Sequence, residues 1–374
     1  RRHTRSVSAF LLNHSSDLHL SMEEKKYTAD SIMELVKQLP IGERMRLRSM
    51  LKEPVGKTQG FEEYLTEQRF SGGRVCPVCG GTHVQRNGRR KNGTQKFICR
   101  DCGKTFSITK NTIFNGTRKD MSVWMRYMEC MAEGLSLTES AERCGISYGT
   151  SFIWRHKILD SVGESLKGTD LTGIVEADET YIVESYKGDK KKFKDNEAGR
   201  KPRKRGGESH TRGLSDELVC IPCAIDRKGN AVSKVAKLGK CSTKAVREVL
   251  GGHVSPEATL CTDEDASYRG FSRDNGNSLV QIKGGKKTVK GIYHIQHLNA
   301  YHSKLKLFLA GFRGVSSKYL NNYLTWNNVV EHRTGTLREK VVRIMRYLAS
   351  AMFEEACKVI PLRPSLPVLV KNQS

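Results

Sequence analysis

The sequence contains no long hydrophobic run. No stretch of about 18 apolar residues, the length that a bilayer-spanning helix needs, occurs among its 374 residues. The apolar segment Ser8–Leu12 is too short, and its flanks are too polar, for a secretory signal. These absences disfavour a membrane-spanning or exported protein, and we expect a cytoplasmic location with no membrane partner.

Acidic residues are scarce relative to basic ones. There are 40 Asp and Glu against 64 Lys and Arg, which gives a formal net charge of +24 and an isoelectric point near 9.6. Such a balance favours a polyanionic partner, with nucleic acid ahead of an anionic membrane surface. Hydrophobic residues make up 37% of the chain, which is below the usual share but sufficient for a folded protein. The length of 374 residues predicts two or three domains.

The sequence has an odd number of cysteines, eleven, and no export signal, so we expect thiols and metal ligands rather than disulfides. Four of them form two pairs, Cys76-Pro-Val-Cys79 and Cys99-Arg-Asp-Cys102, each followed by Gly. Two such turns present four thiolates to one tetrahedral ion. The spacing therefore predicts a zinc ribbon with a structural Zn²⁺, in which His83 is not a ligand.

The segment Met121–Asp160 has the pattern of a helix-turn-helix. A helix from Leu137 is followed by a turn at Gly145 and a second helix over Tyr148–Leu159. In such a unit the second helix lies in a DNA groove, although an ordinary helical hairpin inside a core is the alternative. The side chains expected to face DNA are Tyr148, Thr150, Ser151, Arg155 and Lys157. Basic residues beside the cysteine pairs are further candidate contacts: Arg89, Arg90 and Lys91.

Carboxylates occur in two apolar, strand-like segments. Glu176-Ala-Asp178-Glu179 lies inside one of them, and Asp263-Glu-Asp265 ends the other. Two strand-end carboxylates that a sheet brings together form an oxygen cage suited to Mg²⁺ or Mn²⁺. Each acid alone would more readily be a helix cap or a solvated strand end. Together, in so basic a protein, they suggest metal-dependent phosphoryl transfer on a nucleic-acid backbone.

The order of these motifs resembles the insertion-sequence 1595 family of DDE-type transposases. The resemblance covers roughly Arg74 to Arg333 and includes these parts: the zinc ribbon, the helix-turn-helix, Asp178-Glu-Thr-Tyr, a basic loop at Arg203-Lys-Arg-Gly-Gly207, Thr262-Asp263 and His297-Leu-Asn299-Ala-Tyr-His302-Ser-Lys-Leu-Lys306. It implies an RNase H-like core, a mixed sheet flanked by helices, with Asp178 on its first strand and Asp263 on its fourth as catalytic metal ligands.

The resemblance also implies a third ligand on a late helix, whose identity stays open. DDE enzymes have Glu there, whereas this sequence has no acid within residues 293–330. Asn299, seven residues before Lys306, fits a variant in which Asn replaces Glu, and His302 is the competing ligand. These three share one helix face by their spacing, and Lys306 would contact a phosphate. Glu331 is a fallback, whereas Glu179 and Asp265 are expected to be neighbours of the site.

The segment 187–212 contains eleven Lys or Arg and only four acids. We expect it to be disordered without a partner and to follow DNA phosphates through Arg203, Lys204 and Arg205, although a solvated insertion is the simpler alternative.

The expected fold is multidomain α+β. The predicted domains are an N-terminal tail and helical segment (1–70), the zinc ribbon (71–117), the helix-turn-helix (118–166), the RNase H-like core (167–335) with its basic insertion (187–212), and a C-terminal helix and tail (336–374). Met22, which opens a charged helix, is the expected start of translation.

The predicted function is a transposase that binds the terminal inverted repeats of an insertion sequence and cuts and joins DNA strands. We expect water to attack the phosphodiester and the released 3′ hydroxyl to attack target DNA, with Mg²⁺ or Mn²⁺ as catalytic cofactor. The expected partners are DNA and further copies of this chain in a synaptic complex at the nucleoid. The alternatives are a DNA-binding regulator whose catalytic core has decayed and a nuclease of the same fold.

Overall fold

A computed structural model describes residues 35–40, 42–44, 59–90, 94–194, 201, 213–283 and 291–366. The chain divides into two compact units, Arg1–Lys52 and Glu53–Ser374. Residues 35–38 and 42–44 of the first unit are helical.

The second unit contains both helices and strands. Its described α-helices are α1 (Gln59–Arg69), α2 (Met121–Ala132), α3 (Leu137–Cys144), α4 (Tyr148–Leu166), α5 (Lys190–Lys194), α6 (Thr243–Leu250), α7 (Ala266–Asn275), α8 (Gln296–Gly311), α9 (Leu320–Trp326) and α10 (Leu337–Ser350). Its described strands are β1 (Val84–Arg89), β2 (Gln95–Cys99), β3 (Thr105–Ser107), β4 (Ile174–Val183), β5 (Leu218–Asp226), β6 (Ala231–Ser233), β7 (Lys237–Leu238), β8 (Thr259–Thr262) and β9 (Ser278–Gln281). A π-helical segment, Asn327–Glu331, continues α9.

The first sheet is a small antiparallel sheet in the order β1-β2-β3. Its core is a short cluster in which Phe97 packs against Phe70 and Phe106. Gly80 and Gly103, which follow the cysteine pairs, have φ of 74° and 68°, a left-handed conformation that side chains disfavour. So few apolar residues form a marginal core, and a bound metal is the usual way to stabilise such a module.

Helices α2, α3 and α4 form a helical block that follows this sheet. Ser136 caps α3 in a capping box with Glu139, and Gly145 ends the helix in the left-handed region. Trp124 of α2 stacks on Trp154 of α4, with ring centroids 3.6 Å apart. The helix, turn and helix expected over residues 137–159 are therefore present, and α4 continues beyond the predicted end.

The second sheet has the order β6-β5-β4-β8-β9, and β7 also pairs with β5. Strands β6, β5 and β4 pair antiparallel, whereas β4, β8 and β9 are parallel. Side chains alternate along β4, so Val175 and Ala177 enter a core with α6 and α7, while Glu176 contacts α8 on the opposite face. Helices thus cover both faces, and the chain has the mixed α+β character that the sequence predicts.

Residues 187–194 and 201 of the basic insertion lie within the described structure. Lys190–Lys194 form α5, and the Nζ of Lys187 donates to the carbonyls of Phe312 at 3.0 Å and Gly314 at 2.7 Å. The expectation of disorder is therefore wrong for residues 187–194, because Lys187 binds backbone carbonyls at the end of α8. The candidate phosphate contacts Arg203, Lys204 and Arg205 lie outside the described residues.

Candidate functional site

Asp178 lies on β4, and Asp263 directly follows β8, the strand that pairs parallel with β4. Glu176 of β4 and Cys261 of β8 are the last pair of the register, and two residues further along the chain lie Asp178 within β4 and Asp263 just after β8. An oxygen of Asp178 accepts the backbone N–H of Glu179 at 2.8 Å, and an oxygen of Asp263 accepts the N–H of Asp265 at 3.0 Å. The sheet therefore brings together the two carboxylates that the sequence singles out.

The surroundings of Asp178 disfavour its negative charge. Burial raises the pKa of this carboxyl to about 7, and the neighbouring charges of Glu179 and Asp263 contribute to the shift in the same direction. A divalent cation between the two carboxylates would relieve both the burial cost and the repulsion. The carboxylates of Asp178 and Asp263 are therefore suited to bind a hard divalent cation.

Glu179 and Asp265 are engaged elsewhere. The hydroxyl of Tyr181 donates to Glu179 at 3.1 Å, and burial raises the pKa of Glu179. Asp265 caps α7 by accepting the N–H of Ser267 at 2.7 Å. Glu179 and Asp265 are therefore neighbours of Asp178 and Asp263, and each has its own hydrogen-bond partner.

The candidate third ligands lie on α8, which packs against β4 and β5. Asn299 and Lys306 are exposed to solvent, whereas His302 is buried, with 9% of its surface exposed. The three side chains therefore differ in their access to solvent. Within the described chain, the Nε2 of His302 has no hydrogen-bond partner. Burial and the charge of Lys306 lower the pKa of His302 to about 4, which keeps the imidazole neutral, the form that binds metals.

Two groups of three or more His, Cys, Asp or Glu have ligand atoms within 4.8 Å of one another in the described ranges. One is the group of four cysteines, and the other joins Glu176, His294 and His297. Neither contains Asp178 or Asp263. Glu331, the fallback ligand, ends the π-helical segment and pairs with Lys340 at 3.4 Å.

The four cysteines have the geometry of a structural zinc site. The Sγ atoms of Cys76 and Cys102 are 3.8 Å apart, and those of Cys79 and Cys99 are 3.6 Å apart. Sulfurs about 2.3 Å from a tetrahedral zinc are separated by about 3.8 Å, so this donor set fits the ion. His83 instead pairs with Asp101 at 2.6 Å.

Arg155 corrects one prediction on α4. Its side chain is fully buried, donates to the carbonyl of Leu135 at 2.8 Å and to Ser140 at 3.1 Å, and lies 4.8 Å from the ring of Trp326. The prediction that Arg155 faces DNA is therefore wrong, because its guanidinium ties α4 to the rest of the core.

The other candidate DNA contacts differ in exposure. Ser151 is buried and bonds to the hydroxyl of Tyr127, so its predicted place in a groove is also wrong. Tyr148 is 58% exposed, whereas Thr150 and Lys157 are half-buried. Arg89 and Arg90 are exposed at the end of β1. Lys91 lies outside the described residues.

Sequence reasoning missed the cluster around Glu176. This buried carboxylate contacts Arg227 at 2.8 Å, His297 at 2.7 Å and His294 at 3.4 Å. Burial and the charge of Arg227 lower the pKa of His294. Two signals were available in the sequence: an acid two residues before Asp178 in an apolar strand, and two histidines three residues apart.

Comparison with known proteins bears on the second sheet and its helices. Residues 170–326 match the ISXO2-like transposase domain. The resemblance to the insertion-sequence 1595 family is thereby confirmed. The ISXO2-like match includes β4, β8 and α8, and with them Asp178, Asp263 and Asn299.

A curated relative gives a similar result. Over 281 residues the chain is 24% identical to an uncharacterized protein in transposable element ISH50 of Halobacterium salinarum, an alignment that covers 75% of this chain and 90% of that protein. In the part of the chain that the structure describes, no helix is both long and apolar enough to cross a membrane.

Proposed function

We propose that this protein is a DDE-type transposase that binds the ends of an insertion sequence and cuts and joins DNA strands. The observation that carries the proposal is the pair formed by Asp178 on β4 and Asp263 just after the parallel strand β8, within an ISXO2-like transposase domain. Two adjoining carboxylates, one of which resists ionisation in the absence of a cation, are suited to metal-assisted phosphoryl transfer.

We assign the second sheet to an RNase H-like core. Three antiparallel strands, β6-β5-β4, are followed across the sheet by two parallel ones, β8 and β9, and this order supports the assignment. In the strand order of that core, Asp178 belongs to the first strand and Asp263 follows the fourth. The small antiparallel sheet corresponds to the zinc ribbon, and α3 with α4 to the helix-turn-helix.

The proposed catalytic metal is Mg²⁺ or Mn²⁺, held by Asp178, Asp263 and Asn299. When bound, the metal supplies charge stabilisation for phosphodiester cleavage. Asp178 must release its proton to serve as a ligand, Asn299 offers a neutral carbonyl oxygen, and exposed Lys306 contacts a DNA phosphate. His302, neutral and without a hydrogen-bond partner at Nε2 in the described chain, is the competing third ligand.

The N-terminal modules are proposed to bind the DNA ends. The net charge of +24 and the exposed side chains of Arg89, Arg90 and Tyr148 support this role. Phosphate contacts contribute affinity without sequence information, so recognition of the inverted repeats is assigned to the exposed part of α4. Symmetric joining of two ends requires at least two copies of the chain.

The test is strand cleavage of a DNA that carries the flanking ends of the gene, with Mg²⁺ or Mn²⁺. We expect Asp178→Asn and Asp263→Asn to abolish cleavage while end binding and zinc content stay intact. Loss of cleavage in Asn299→Ala or in His302→Ala identifies the third ligand. Asp170→Asn, which changes an exposed carboxylate just before β4, is the matched control.

The wild-type protein also decides between the proposed function and its alternative. If the wild-type protein binds the DNA ends but cuts them with neither metal, the proposed function is a DNA-binding regulator with a decayed catalytic core and no longer a transposase. The absence of an acid in residues 293–330 is the observation that favours this second candidate.

A further inference from the structure

The first N–H of helix α8, that of Gln296, donates to the Nδ1 of His294 at 3.3 Å. The N-cap residue of the helix is Ile295, which makes no side-chain hydrogen bond, and its first turn contains no acid. The first N–H groups of a helix have no partner within the helix and need one from elsewhere. One of them, the N–H of Leu298, donates to the carboxylate of Glu176 on β4 at 3.0 Å. The acceptor for the third N–H of α8 thus comes from the sheet, 122 residues earlier in the chain.

Glu176 is a strong acceptor held in a fixed place. Its side chain is 1% exposed and pairs with the guanidinium of Arg227 at 2.8 Å. Removing a carboxylate from water is costly unless charged and hydrogen-bonding partners compensate it, and here Arg227 and the N–H of Leu298 do so. A carboxylate at the positive end of a helix dipole is favourable as well.

Arg227 extends the same connection to the residues before α8. Its guanidinium donates to the carbonyl of Ile292 at 3.1 Å and lies 3.0 Å from a ring nitrogen of His294 and 2.5 Å from one of His297. Although Glu176 and the two histidines have the spacing of metal ligands, the cation among them is already the guanidinium. The cluster therefore joins the start of α8 to β4 and to the turn after β5.

Glu176 lies two residues before Asp178 of the proposed catalytic pair. Glu176 and Asp178 point to the same face of β4, about 7 Å apart along the strand. Asn299 directly follows Leu298, whose N–H Glu176 holds. We propose that Glu176, fixed by Arg227, is a positioning residue that holds the first turn of α8, and with it Asn299, in place beside Asp178. The inference rests on the proposed function, because it assigns Asn299 to the metal site.

The test is Mn²⁺ binding to the full-length protein, followed together with amide hydrogen exchange of residues 296–300. We expect Glu176→Ala to weaken Mn²⁺ binding about tenfold, as removal of a supporting hydrogen bond does in other metal sites. Amide exchange in the first turn of α8 should become faster. Glu176→Gln, which keeps an oxygen acceptor for Leu298, should recover most of both properties, a rescue that a general loss of stability would not produce.

Arg227→Gln gives a second variant should Glu176→Ala fail to fold, and we expect it to weaken Mn²⁺ binding and to speed exchange in the same direction. The matched control is Arg247→Gln on α6, which breaks an exposed ion pair with Asp274 of α7 and should change neither property. Unchanged affinity and unchanged exchange in the Glu176 and Arg227 variants would overturn the inference. If Asp178→Asn leaves Mn²⁺ binding intact, the proposed metal site fails instead, while exchange at Leu298 still tests its hydrogen bond to Glu176.

Discussion

Asp178 on β4 and Asp263, which directly follows the parallel strand β8, are close enough for their charges to repel each other. Each accepts a backbone N–H from a residue that follows it, so both carboxylates are held in place before any cation binds. Burial and nearby acids raise the pKa of Asp178 to about 7, so the metal-free site is destabilised by its own charge at neutral pH. The two carboxylates therefore lower the stability of the metal-free protein and at the same time provide ligands for a cation.

The first prediction follows from that charge. The pKa of Asp178 lies above the ordinary value of 3.8 in the folded protein, so the folded state binds the extra proton between these values and loses stability as the pH rises through them. We expect Asp178→Asn to raise the free energy of unfolding of the metal-free protein at about pH 8 by on the order of 2–4 kcal/mol. The gain should disappear near pH 4, and denaturant titrations at both pH values would measure it.

Added metal should make the wild type more stable than Asp178→Asn, the reverse of the metal-free comparison. Mg²⁺ or Mn²⁺ binds only the folded wild type and should raise its melting temperature, while Asp178→Asn should respond little. Asp170→Asn, at an exposed carboxylate, is expected to match the wild type in both measurements. A metal-free Asp178→Asn protein that is no more stable than the wild type at about pH 8 contradicts the account of the site's electrostatics.

The two carboxylates were predictable from the sequence because acids interrupt apolar strands. The partners of Glu176 were not. The N–H that it accepts comes from Leu298, and no local pattern connects a strand residue to a helix end that far along the chain. The first turn of α8 contains no acid and follows Ile295, which is a local signal, but this signal does not identify the side chain that accepts the N–H of Leu298.

The second prediction concerns the charge of the third ligand. With Asn299 in place of an acid, the proposed site has one negative charge fewer than a three-carboxylate site. We expect Asn299→Asp to tighten Mn²⁺ binding and Asn299→Ala to weaken it, each by about tenfold. Ala300→Asp adds the same charge to the next exposed position of α8 and should change the affinity much less. Equal effects at positions 299 and 300 would show a general electrostatic attraction and no ligation by Asn299.

The third prediction concerns the cysteine site. We expect one zinc per chain, lost in Cys99→Ser, because the four sulfurs have the separations that zinc requires. A chelator should unfold the small sheet, whose apolar cluster is too short to hold it alone. Cys357→Ser, at an exposed cysteine, should keep the full zinc content. Zinc analysis with circular dichroism before and after chelation measures both effects, and an intact sheet without zinc would contradict the assignment.

Arg155 shows where prediction from sequence failed. An Arg on the second helix of a helix-turn-helix pattern suggests a DNA contact, since arginine is ordinarily exposed. The residues that bury it are Leu135, Ser140 and Trp326, and the last is 171 positions away in the chain. Local periodicity contains no information on such a distant partner.

The fourth prediction tests this correction. We expect Arg155→Ala to lower the free energy of unfolding by about 1.5–3 kcal/mol, since it removes two hydrogen bonds from a charged donor and the packing on Trp326. Lys157→Ala, on the same helix and half-buried, should change stability little and weaken DNA binding. Thermal unfolding and DNA-binding titrations separate the two roles. A stable Arg155→Ala protein with weakened DNA binding would restore the original interpretation.

The fifth prediction concerns the exposed arginines at the end of β1. If Arg89 and Arg90 each neutralise a DNA phosphate, binding releases condensed counterions, and the slope of log affinity against log salt concentration becomes shallower by about 0.9 for each phosphate that is no longer neutralised. We expect Arg89→Gln and Arg90→Gln to reduce the slope by that amount and to weaken binding to element ends and to unrelated DNA alike, because phosphate contacts do not read sequence. Arg273→Gln on α7 removes a comparably exposed charge and should leave the slope unchanged. An unchanged slope in the Arg89 and Arg90 variants would mean that this edge of the small sheet does not contact DNA, and the zinc site would then serve the fold of the module alone.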